Sequence, residues 1–162
     1  MIKLLEREGL AFGADTNAAT GFDQTFYQLE LPRTNDETVD TALRIMREQV
    51  SEALMDPQAI DEERGVIVGE ERTRNTPQLR SAKAQLALLA PGQRLANRFP
   101  IGDLEIIRTA SRDRFVAFYE AYYRPSRATM LAVGDFDVDV MEGKIRAAFE
   151  SWEPSAPDGP EP

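Results

Sequence analysis

Two prolines divide the middle of this chain, Pro57 directly after Asp56 and Pro77 after a charged stretch. Proline has no backbone N–H and a fixed φ. It suits the first turn of a helix and breaks a helix that tries to run through it. The stretch from Asn35 to Ala90 therefore reads as three helices, not one. Asn35 caps the first, with Asp36 and Glu37 in its first turn. Val39, Leu43, Met46, Val50 and Leu54 trace its apolar stripe. "MDP" ends it, and Asp56 with Pro57 opens the second helix, roughly Pro57 to Asn75. Pro77 opens the third, in which Leu79, Ala82, Leu86 and Leu89 recur at helical spacing until "APG".

Strand signals lie on either side of this helical block. "FDQTFYQLELP" is the clearest: Tyr27, Leu29 and Leu31 alternate with Phe26, Gln28 and Glu30, and Pro32 ends the run. "LAFGADTNAAT" predicts an irregular strand before it, and "TGF" is a short enough link for the two to pair as a hairpin. "IKLLEREG" predicts a short helix stopped at Gly9. Residues 91–103 are a loop by composition. Ser111 caps a helix "RDRFVAFYEAYY" with Phe115, Phe118, Tyr119 and Tyr122 on its inner face. "ATMLAVGDF" is a nearly continuous apolar run and predicts a buried strand. Val138, Met141, Ile145, Phe149 and Trp152 predict a last amphipathic helix. Strands early and once late, with helices between, give an α+β class. Residues 1–152 form the domain. Residues 153–162, "EPSAPDGPEP", are a Pro-rich acidic linker or disordered tail.

Composition excludes several function classes. The net charge is −9, which argues against nucleic acid and against anionic membrane surfaces. With no Cys there is no disulfide, thiolate metal site or Cys nucleophile. With no His the commonest general base and the commonest zinc ligand are both missing. The first residues are not a signal peptide, because Glu6, Arg7 and Glu8 interrupt the apolar run. No apolar stretch approaches a membrane span.

Two carboxylates stand out within "ERGVIVGEE". Glu63 and Glu70 are seven residues apart, which on a helix leaves them about 20° apart in direction. They share a face that Val66 and Ile67 bracket, while Glu62 and Glu71 point elsewhere. Carboxylates on a partly apolar face cost desolvation unless a metal, an Arg or a proton accompanies them. The plain alternative is a solvated or Arg-paired helix face, with Arg64, Arg72 and Arg74 near by. The acidic turns "GDLE" and "GDFD" lack calcium-loop spacing and read as ordinary turns. Tyr119, Tyr122, Tyr123 and Trp152 read mostly as core by their spacing.

In order, "FGADTNAATGFDQTFYQLELP", "ERGVIVGEE", "PIGDLEII", "FYEAYYRP" and "LAVGDFD" resemble the insulinase/pitrilysin family of zinc metallopeptidases, the inverted zincins. The resemblance runs from about Ile2 to Trp152. It implies a mitochondrial-processing-peptidase-like domain, with a small, mostly antiparallel sheet and several helices packed on it. In that family an H-x-x-E-H helix supplies two His ligands and the catalytic Glu, and a Glu on a later helix completes the zinc shell. Glu70 matches that later Glu. Glu63 matches a supporting Glu one seven-residue step earlier. Asn17 and Ala18 match the residues that hold an extended peptide substrate as an added strand.

The H-x-x-E-H motif is absent here, and at the family's spacing it falls before Met1. The expectation is thus a catalytic domain lacking its opening segment, with the catalytic Glu upstream of Met1 and no catalytic residue of its own. It fits a fragment of a peptide-hydrolysing enzyme that binds zinc only in the complete parent and is inactive alone. The alternative is a non-catalytic module of the same fold that binds peptides or a partner subunit. Expected partners are an extended peptide in the parent, and a second copy or the peptidase's missing domains. Members of this family are often exported, but the residues here fix no compartment.

Overall fold

The computed structural model describes residues 16–161. The expected helix over 2–9 and the opening of the first strand lie outside the described residues. Among the described residues the chain forms two strands and six α-helices. In order they are β1 (Thr16–Thr20), β2 (Thr25–Leu29), α1 (Asp36–Ser51), α2 (Pro57–Arg74), α3 (Pro77–Leu89), α4 (Leu104–Thr109), α5 (Arg112–Tyr122) and α6 (Val138–Phe149). Short 3₁₀ turns lie at Arg94–Asn97 and Pro125–Arg127. β1 and β2 pair as a two-stranded hairpin, so the class is α+β as the pattern predicts. The chain divides into two compact units.

The first unit holds residues 16–19, 26–54 and 117–161. Its centre is α1. Asn35 caps that helix, its side-chain oxygen accepting the Thr38 N–H at 2.9 Å. Ile45 is 1% exposed, and Leu29 and Leu31 from the hairpin strand pack against it. Burying an isoleucine contributes about 1.5–3 kcal/mol. The buried stripe runs through Val39 and Leu43, as the spacing predicts, but it turns toward Thr38, Ala42 and Ile45. Leu54 falls outside it and is 88% exposed, because the helix stops at Ser51. The chain then bends at Met55, whose φ of 49° is in the left-handed region. α6 packs on α1, and Lys144 bridges Asp40 at 2.6 Å and Asp36 at 3.3 Å. Trp152 is buried beyond the end of α6, with the Arg47 guanidinium over its ring.

The predicted buried strand over "ATMLAVGDF" is not formed. Residues 128–133 carry no strand pairing among the described residues, and Leu131 and Val133 are exposed. An apolar run specifies β-propensity but not a partner, and no described strand lies beside this one. Val138, expected on the inner face of the last helix, is also exposed. The following "GDFD" turn has a definite use: Asp137 caps α6, accepting the Val140 N–H at 3.0 Å.

The second unit holds residues 20–25 and 55–116. Both prolines do what the sequence dictates. Asp56 caps α2 through the Ala59 N–H at 2.9 Å, with Pro57 in the first turn. Pro77 opens α3 behind Thr76, whose hydroxyl accepts the Leu79 N–H. The loop expected over 91–103 includes a 3₁₀ turn at Arg94–Asn97. Asp103, in "GDLE", caps the short α4 through the Glu105 N–H at 2.7 Å.

In the first unit, residues 153–161 make defined contacts. Arg124 is buried and faces Asp158 at 3.4 Å. Arg127 meets the same carboxylate at 2.9 Å, donates to the Gly159 carbonyl at 2.9 Å and stacks over the Tyr122 ring. Gly159 lies so close to that ring that an added Cβ meets Tyr122 Cζ at 2.7 Å. Gly159→Ala should therefore displace the ring and destabilise the chain by about 1–3 kcal/mol, the range for overpacking. Gly143→Ala, inside α6 where an added Cβ meets nothing within 4 Å, should stabilise it by about 1 kcal/mol through helix propensity. Urea unfolding midpoints check both. Equal shifts of one sign would mean that the tail contact contributes nothing.

Candidate functional site

The candidate residues occur in two places, Glu63 and Glu70 on α2 in the second unit and Asn17 and Ala18 on β1 in the first. α2 is an uninterrupted 18-residue helix despite Gly65 and Gly69. Its cap and first-turn proline fix its start, and Arg72 and Arg74 in its last turn complement the helix dipole. The seven-residue step thus operates as the arithmetic requires. Glu63 and Glu70 are both exposed on one side of the helix, about 10 Å apart along its axis.

Neighbouring acids are occupied locally. Glu62 accepts from the Gln58 amide at 2.8 Å, and Glu71 accepts from the Asn75 amide at 2.7 Å. The carboxylates of Glu63 and Glu70 have no hydrogen bond or ion pair among the described residues. Arg64 is the nearest cation in sequence, and it turns the other way. It pairs with Asp61 at 3.1 Å, donates to the carbonyls of Ile107 and Ala110, and lies over the Phe115 ring at 5.3 Å. Among the described residues the Arg-paired form of the plain alternative is therefore not found; the two glutamates face solvent, as its solvated form expects. No group of three or more Asp and Glu able to hold a metal occurs among the described residues. These residues do not by themselves fit a zinc site.

On β1, equal five-residue strands close on a turn in which Gly21 N–H donates to the Gln24 carbonyl at 2.7 Å. This register puts Thr20 opposite Thr25 and Ala18 opposite Tyr27. Alternation then makes Ala18 and Tyr27 a non-hydrogen-bonded pair, so Ala18 presents its backbone groups to the outer edge. Its N–H is engaged there by Asn17 Oδ1 at 2.9 Å. Among the described residues β1 has one strand neighbour, β2.

Behind the hairpin lies a cluster of tyrosines that spacing alone reads as plain core. Tyr27 and Tyr123 share a hydroxyl hydrogen bond of 2.8 Å. Tyr123 stacks on Tyr119 with ring centroids 4.6 Å apart. The Tyr119 hydroxyl donates to the Gln49 carbonyl at 2.9 Å and accepts the Ala53 N–H at 3.3 Å. The sequence signal for this was "YEAYY", which places Tyr119 and Tyr123 one helical turn apart.

Residues 1–97 match the family model described as insulinase, peptidase family M16, and residues 109–162 match that of the peptidase M16 inactive domain. This chain belongs to the insulinase family. A probable zinc protease, PqqL of Haemophilus influenzae, is 37% identical over 137 residues, which is 85% of this chain and 15% of that protein. The crystal structure of the first half of the periplasmic protease PqqL from Escherichia coli superposes with a TM-score of 0.89 at 29% identity. That alignment covers 99% of this chain and 35% of the solved one. The ferredoxin protease FusC, solved in complex with Arabidopsis ferredoxin, shares the fold with a TM-score of 0.87 at 22% identity, covering 98% of this chain and 18% of that one. The insulinase chain described here thus spans about one-sixth of the length of the PqqL proteins.

The tyrosines give this insulinase segment an alkaline limit. Burial, then the bond to Tyr123, pushes the Tyr27 phenol above its ordinary range, and burial also raises Tyr119. A phenol with a raised folded pKa keeps its proton longer in the native state. Its contribution is complete below the unfolded value of about 10 and is lost as pH rises beyond it. The thermal midpoint should hold between pH 7 and about 9 and fall above pH 10. Tyr27→Phe should flatten part of that fall. A midpoint equally steep in both proteins would remove Tyr27 as the cause.

Proposed function

We propose that this chain is part of the catalytic half of a zinc metallopeptidase that cleaves peptide bonds. In this reading Glu70 is its contribution to the zinc shell and Glu63 supports that site. Asn17 and Ala18 hold the substrate as an added strand. The carrying observation is the pair of carboxylates on one exposed face of α2, without a partner among the described residues, within the stretch that the insulinase family model matches. Exposed carboxylates without a counter-ion are available to a cation brought by other ligands. Their separation of about 10 Å along the axis suits one direct ligand and one supporting group better than two ligands on one ion.

Zinc bound in a complete relative would activate water and polarise the scissile carbonyl. This chain supplies one of the ligands needed, so we infer that it is inactive by itself. Its own part is to present Glu70 and to receive the peptide. The outward N–H and C=O of Ala18 suit an added strand, and its small side chain allows close approach. Asn17 Oδ1 must then release the Ala18 N–H as the peptide takes it. The exposed run at residues 128–133, which has no strand partner among the described residues, supports contact with further polypeptide, either other parts of the peptidase or a second copy.

A second reading, a non-catalytic module that binds peptides or a subunit, draws support from the inactive-domain match over residues 109–162. Zinc calorimetry on the untagged chain tests the metal assignment. One carboxylate does not hold catalytic zinc against water, so the expected result is no binding at micromolar zinc. Micromolar binding that Glu70→Gln abolishes would contradict the claim that the chain lacks a complete metal site.

A further inference from the structure

The tyrosine cluster is more than filling. Among the described residues, β2 meets the helices of the first unit through an apolar contact and a hydroxyl bond. Leu29 and Leu31 pack on Ile45, and Tyr27 reaches Tyr123. The apolar contact sits at the end of β2 away from the turn. The hydroxyl bond sits in the middle of the strand, directly across from Ala18 in the hairpin register. Apolar packing tolerates small slides, whereas a 2.8 Å hydroxyl pair fixes both distance and direction.

Tyr123 is itself well anchored. Its ring stacks on Tyr119, whose hydroxyl uses both a donor and an acceptor bond at the C-terminal end of α1. The Tyr27 and Tyr123 rings also meet edge to face, with centroids 6.5 Å apart. A continuous series of contacts therefore runs from the end of α1, through Tyr119 and Tyr123, to Tyr27 and so to the strand bearing Asn17 and Ala18.

We propose that Tyr123 is a positioning residue for peptide addition at β1, setting the edge strand through its hydroxyl bond to Tyr27. This rests on the edge-strand reading above. An added strand must match the register and twist of the edge along several residues, so a hairpin free to rock pays an ordering cost at each encounter. Tyr123→Phe keeps the ring stack and removes only the hydroxyl. Tyr27→Phe removes the other half of the same bond and serves as the second variant should the first fail to fold.

The test uses the whole chain and a fluorescein-labelled peptide of alternating threonine and valine with a lysine at each end, followed by anisotropy. Loss of one hydrogen bond should weaken binding about 5-fold in either variant. The double variant should be no weaker than the singles, because the two hydroxyls form one interaction. Amide exchange should quicken in Thr16–Thr20 and Thr25–Leu29 and stay unchanged in Val138–Phe149, a pattern that general loss of stability would not produce. If the unmodified chain binds and both variants bind equally well, the positioning role is wrong and the edge-strand reading survives. If the unmodified chain binds no peptide, the edge-strand reading itself fails, and the positioning role falls with it.

Discussion

The Arg64 guanidinium decides what the α2 glutamates are free to do. It is mostly buried, is bonded to the carbonyls of Ile107 and Ala110, pairs with Asp61 and lies over Phe115. Such a cation is costly to bury without partners, and these contacts supply them. The bonds tie α2 to the end of α4 and the residue after it, and so fix the rotation of the helix about its axis. They also withdraw from Glu63 and Glu70 the neighbour best placed to neutralise them.

Much of this was legible in the sequence because it is local. Proline at a first turn and Asn or Asp at a cap act within a few residues, so α1, α2 and α3 begin where Asn35, Pro57 and Pro77 place them. The shared face of Glu63 and Glu70 follows from helix geometry alone. Their lack of a partner among the described residues does not, because the direction taken by Arg64 depends on carbonyls more than forty residues away. α4 was hidden inside "GDLEII" because a six-residue helix gives little periodicity to read. The run over residues 128–133 misled for a related reason. Apolar strand composition predicts burial only if partner strands exist, and none is present beside it among the described residues.

The tyrosine cluster lies between these cases. Helical spacing read Tyr119 and Tyr123 mostly as core, strand alternation set Tyr27 apart from Phe26, and all three tyrosines are half-buried. Spacing did not predict that one hydroxyl would join strand to helix while another joined the end of α1 to the same helix. Hydroxyl bonds depend on placement to within a fraction of an ångström, which local pattern does not encode. The family resemblance and the fold therefore agree on the scaffold, while the contacts that set the site arise from tertiary packing.

The central proposal is that Glu70 contributes to a zinc site completed by ligands that this chain does not supply. The chain matches a small fraction of the PqqL proteins and has no His of its own. The most direct measurement is the sequence of the coding DNA upstream of the Met1 codon. In-frame codons for H-x-x-E-H, at the family's distance before Glu70, are the predicted result. A stop codon in frame before any such motif, or an open upstream frame without it, would contradict the account and leave the non-catalytic module as the better description.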